Sequence, residues 1–141
     1  ENLIFQSRLI SGNYPFTSNL FPKEKLFSIT LNKTQFYNVV DRAALFTSDK
    51  EKNIISLIVN NNTVVIKSGD GIGQVDEKID INENVEKEFK IDFSSRYMMD
   101  SVKTFKNETI TLTFLAPDKP IVISDKDSEN LMHLVLPIRS Y

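Results

Sequence analysis

Cysteine is absent from this chain, and so is tryptophan. Without thiols there is no disulfide framework and no thiolate metal site. There is one histidine, His133. One imidazole and no thiol exclude a His-centred metal cluster and a Cys nucleophile. His133 sits within an apolar stretch and is expected to pack or to face solvent. Glycine is scarce, and Gly69-Asp70-Gly71-Ile72-Gly73 is the one glycine-rich run. It lacks the lysine and the following helix of a phosphate loop, so it reads as a hairpin turn. Asp125 to Glu129 opens like a calcium loop. The sixth position is Asn130 instead of glycine and the twelfth is Leu136 instead of glutamate, which rejects that reading. No catalytic residue, metal or cofactor is expected, and the chain is read as a non-enzyme. No apolar run approaches the roughly 20 residues that span a bilayer. No secretory leader pattern opens the chain either, and a cytoplasmic location is expected. The net charge of −2 gives no global footprint for nucleic acid.

What is present is enough apolar matter for one core without staples. Residues 1–10 alternate at Leu3 and Phe5 and run on through Leu9 and Ile10, the pattern of a strand. Ser11 to Pro15 is turn chemistry, and Tyr14 to Lys25, with Pro15 and Pro22, reads as an extended linker. No methionine leads the chain, so a fragment of a longer protein is expected.

From Leu26 onward the pattern runs twice. Phe27, Ile29 and Leu31 alternate with polar residues, Asn32 is placed to cap a helix, and Phe36, Val39, Val40 and Ala43 form one apolar stripe. Ile55, Leu57 and Val59 alternate, Asn60-Asn61-Asn62 turns, and Val64 and Ile66 return as a hairpin. Val75 to Ile81 is a further strand. Phe89, Ile91 and Phe93 then begin the second copy, and Ser94 is placed to cap a helix carrying Met98, Met99, Val102 and Phe105. At an offset of 62, Phe27 meets Phe89, Ile29 meets Ile91, Leu31 meets Phe93, Phe36 meets Met98, Tyr37 meets Met99 and Val40 meets Val102. Each half reads strand, helix, strand, strand, strand, which predicts about eight strands and two helices. The fold class is α+β, and each helix covers a sheet with its apolar stripe.

Two surfaces stand out. Lys33, Asn38 and Arg42 lie off the first stripe, and Arg96 and Lys103 off the second. They read either as a plain solvated face or as a mild basic lining that feels phosphates without reading bases. The chain closes on Leu134-Val135-Leu136-Pro137-Ile138-Arg139-Ser140-Tyr141. Proline stops the last strand there, leaving a short tail with apolar side chains on the surface. That tail either packs back on its own domain or forms the wall of a groove.

The repeat, the helices and the tail together resemble one known family, the bacterial β sliding clamps, processivity factors of the replicative DNA polymerase. Leu3 to Pro15 resembles the last strand of the middle clamp domain and its exit turn. Phe36 to Leu45 and Phe93 to Asp100 resemble the two helices of the third domain, and Leu134 to Arg139 the C-terminal motif. The resemblance implies a DNA-clamp fold with an internal duplication of β-α-β-β-β, two antiparallel sheets and two helices on one side. It implies that residues 1–25 are the end of the middle domain and a linker, and that 26–141 are the C-terminal clamp domain. It implies a ring, dimeric as the full-length protein, around duplex DNA held without sequence specificity. Lys33, Asn38, Arg42, Arg96 and Lys103 would face that DNA. A peptide groove would be formed by Pro15, Asn19, Leu20, Ser94, Tyr97, Asp118, Pro120, Leu134, Val135, Leu136, Pro137, Ile138 and Arg139. It would take short linear motifs of DNA polymerase III subunits, the clamp loader and repair proteins. Leu45, Phe46, Val75, Glu77 and Ile79 would form the subunit contact. Asn19, Ser94 and Pro120 depart from the family's best-known pattern, which bears on motif preference. A stand-alone protein-interaction module with no DNA role is the rival reading.

Overall fold

The computed structural model describes residues 2–14, 16, 21, 24–47, 53–70, 73–125 and 131–138. The elements run β1 (Phe27–Asn32), α1 (Lys33–Ala44), β2 (Ile54–Asp70), β3 (Gly73–Ser94), α2 (Ser95–Val102), β4 (Thr109–Phe114), β5 (Ile121–Ser124) and β6 (Met132–Val135). One antiparallel sheet has the order β1-β4-β5-β6, and β2 and β3 form the other.

The eight expected strand segments are all present in these six strands, because β2 and β3 each hold two of them. The hairpin at Asn60–Asn62 lies inside β2. A straight strand of its 17 residues would run about 55 Å. Yet both ends of β2 meet the C-terminal end of α1. Ser68 Oγ donates to the Ala43 carbonyl at 2.6 Å, and Thr47 Oγ1 reaches Asn53 Oδ1 at 3.4 Å. The chain must double back between them. Asn61 takes the left-handed conformation, φ 50°, that a tight turn demands. The buried positions switch from 55, 57 and 59 to 64, 66 and 68 across it. The pairing with β3 accordingly falls into two ladders, Ile54–Val59 on Phe89–Ser94 and Thr63–Asp70 on Gly73–Asp80.

The duplication is visible in the packing. Ile29 and Ile91, Leu31 and Phe93, Phe36 and Met98, and Val40 and Val102 are all buried. Phe27 and Phe89 meet edge-to-face with centroids 5.2 Å apart, and both contact the Phe114 ring. Each helix lays its apolar stripe on this core: Phe36, Val39, Val40 and Ala43 from α1, Met98 and Val102 from α2. The two starts are capped differently. Asn32 Oδ1 accepts from the Gln35 N–H at 2.9 Å. Ser94 caps nothing with its hydroxyl; the Ser95 N–H goes to the Asn53 carbonyl at 2.9 Å instead.

The strand expected within residues 1–10 does not form. Residues 2–14 have no regular structure and lie exposed, Leu3 at 95% and Leu9 at 98%. Alternation favours a strand only where an edge is available to pair with it, and none within the described residues takes this one.

Candidate functional site

Three residues of α2 decide where the site lies. Tyr97, Asp100 and Ser101 share one helical stripe, at the i, i+3 and i+4 spacing that places side chains above one another. The tail runs past that stripe, and it is not free. Pro137 forms a β-bridge with Phe93, and the Ile138 N–H donates to the Asp92 carbonyl at 2.7 Å. Proline ends the ladder with β5, and the next N–H is taken up by the end of β3, so the described part of the tail packs back on its own domain and walls a groove as well. Pinning the tail there leaves a cavity of about 400 Å³ between it and α2. Tyr97, Asp100, Ser101, His133, Leu134, Val135, Leu136, Pro137 and Ile138 line it. Tyr97 is 68% exposed and Leu136 70%, large apolar surfaces held open to solvent.

Six of the predicted groove residues are thus brought together: Tyr97, Leu134, Val135, Leu136, Pro137 and Ile138. Ser94 is not on this wall. It is buried at the foot of α2. Asp118 and Pro120 sit in the β4–β5 turn and do not line the cavity. Pro15, Asn19, Leu20 and Arg139 lie outside the described residues. Asp100, Ser101 and His133 were missed. The helical spacing from Tyr97 was the available signal for the first two. His133 was hidden by its short strand, where period-2 alternation cannot say which face looks at a helix. Its Nε2 stands 2.8 Å from Thr104 Oγ1, and its ring meets Phe105 edge-on at 5.4 Å.

The second α2 stripe, Arg96, Met99 and Lys103, turns toward α1, which packs beside it. Lys103 Nζ lies 5.4 Å over the Tyr37 ring. Its hydrogen bond to the Tyr37 hydroxyl holds the ammonium above the ordinary lysine range, with smaller help from Asp100 and Asp41. Lys33 donates to the Phe105 carbonyl at 2.8 Å. Arg42 reaches Glu77 through two contacts of 2.6 and 3.1 Å. That pair raises the Arg42 pKa and lowers that of Glu77. Of the five predicted DNA-facing residues, Asn38 and Arg96 are exposed with no recorded partner among the described residues, while Lys33, Arg42 and Lys103 are each tied to a neighbour.

The predicted subunit surface divides as well. Leu45 is 79% and Phe46 40% exposed at the end of α1. Ile79 is corrected to a core residue, 2% exposed. Val75 and Glu77 lie half-buried on the same inward face of β3, Glu77 against Arg42. The odd positions of this strand point under the helix, so the side chains offered outward are Gln74, Asp76, Lys78 and Asp80.

A sequence model of the C-terminal domain of the DNA polymerase III beta subunit matches residues 18–139. The chain belongs to the β sliding clamp family. The β sliding clamp of Staphylococcus epidermidis is 36% identical over 141 residues, which cover 99% of this chain and 37% of that protein. The Staphylococcus aureus clamp is 35% identical over the same extent. The Bacillus subtilis sliding clamp superposes with a TM-score of 0.87 at 32% identity, over 96% of this chain and 36% of that one. The β chain of DNA polymerase III from Streptococcus pneumoniae gives 0.85 at 28%, over 94% and 36%. This clamp domain therefore spans little more than a third of the relatives it matches. These matches remove the ground for a stand-alone interaction module.

Proposed function

We propose that this chain is the C-terminal part of a processivity clamp. The whole protein, a homodimer, would encircle duplex DNA and slide on it without making or breaking a bond. Polymerase III subunits, the clamp loader and repair proteins would bind through short peptides seated between Tyr97 and the tail. The reading places the protein in the cytoplasm, as a non-catalytic subunit of the polymerase assembly.

The observation that carries the proposal is the division of α2 into two stripes. One stripe joins α1 in a mildly cationic helix face, Lys33, Arg42, Arg96 and Lys103 against Asp41. The other borders an apolar groove closed by Pro137. A face on which Lys33, Arg42 and Lys103 are already tied to neighbours and, among the described residues, Arg96 alone stands open attracts phosphates weakly, which suits sliding. An open apolar slot rimmed by hydrogen-bonding groups suits an extended peptide. The subunit contact would use Leu45, Phe46 and the free edge of β3, while Val75, Glu77 and Ile79 support that edge from beneath.

The test is polymerase processivity on a primed single-stranded circle with the full-length protein. Tyr97→Ala is expected to shorten the synthesised tracts at least tenfold while leaving the ring on DNA. Unchanged tract length would overturn the groove's role.

A further inference from the structure

The groove's two walls differ in chemistry. The tail supplies an apolar wall. On the α2 side, the polar groups are mostly engaged. Ser101 Oγ donates to the Tyr97 carbonyl at 2.8 Å, and His133 is held by Thr104. Asp100 differs. It is exposed, lines the cavity, and forms no ion pair or hydrogen bond among the described residues. Lys103 feels its charge, but that ammonium lies over Tyr37 on the opposite stripe.

We propose that Asp100 makes the groove selective for peptides carrying lysine or arginine beside the apolar residue seated against the tail. This rests on the groove reading above and adds the chemistry of the ligand. The aliphatic stem of such a side chain can lie along Tyr97 and Leu136 while its charge reaches the carboxylate at the rim. A glutamate there would meet like charge. Exposed pairs change affinity by about two- to fivefold, so the effect is a preference and not an on–off switch.

The experiment titrates the labelled 141-residue chain with two short peptides. They share a pair of leucines and differ by lysine or glutamate at the next position. Chemical shifts report both affinity and location. The lysine peptide is expected to bind about two- to fivefold tighter at low salt. The preference should vanish in Asp100→Asn and in about 0.5 M salt, where the screening length is roughly 4 Å. It should persist in Asp41→Asn, which lies on α1. Equal affinities for the unmutated chain, or a preference that survives Asp100→Asn, would overturn the inference while leaving the groove in place. Shifts that bypass Leu134–Ile138 for both peptides would overturn the groove itself, and the inference with it.

Discussion

Asn32 and Ser94 occupy equivalent places in the two halves, yet only Asn32 closes its helix with a side chain. Replacing Asn32 with alanine is expected to cost about 1 kcal/mol in urea unfolding. Ser94→Ala should stay within about 0.5 kcal/mol, because the Asn53 carbonyl does the capping there. Equal losses would contradict that assignment. The sequence announced both caps by residue type alone; it could not show that Asn53, distant in the chain, would take over the second. The Arg42–Glu77 pair has a pH consequence. Arg42 holds the folded-state pKa of Glu77 below its ordinary 4.5. The stabilisation is therefore complete above that value and is lost as pH falls through the lower, folded-state pKa. Glu77→Gln should flatten the acid limb of the stability curve, measured by urea midpoints at a series of pH values below about 5. An unchanged acid limb would show that the pair contributes nothing.

At the scale of elements, the helices and the strand segments from Phe27 onward were legible, and the joining of those segments into long strands was not. The two apolar stripes named α1 and α2 because 3.6-residue periodicity survives any tertiary context. The segments run on in pairs through β2 and β3, which alternation could not show: it marks faces, while the path of the chain at Asn60–Asn62 is set by one left-handed residue. Residues 1–10 failed for a related reason: a strand needs a neighbouring edge, which no sequence pattern supplies. Six of the nine residues lining the groove were readable through the tail and Tyr97. Asp100 and Ser101 were within reach of the helical spacing from Tyr97, whereas His133 needed the packing of α2 on β6. The duplication predicts similar penalties at equivalent core sites. Phe36→Ala should cost about 3–5 kcal/mol and Met98→Ala about 2–5. Both side chains are fully buried in one core, so each loss should appear as a single cooperative transition. Two transitions for either variant would indicate halves that unfold independently.

For the whole molecule, the proposed reading makes this chain part of a larger arrangement. It covers 37% of its Staphylococcus epidermidis relative, so the proposed ring cannot be closed by these residues alone. DNA retention by the isolated chain is expected to be negligible. Peptide binding should be weak on the proposed reading, because the groove is assigned to a whole protein of which this chain matches little more than a third. A filter or mobility assay with circular duplex should show no salt-resistant complex. Micromolar or tighter peptide affinity would show that the groove is already complete. The most direct measurement is a residue-resolved shift titration of the isolated chain with a clamp-motif peptide. The account predicts weak binding whose perturbations cluster on Tyr97, Asp100, His133 and Leu134–Ile138 and leave α1 unmoved. Perturbations centred on α1, or none at the tail, would contradict it.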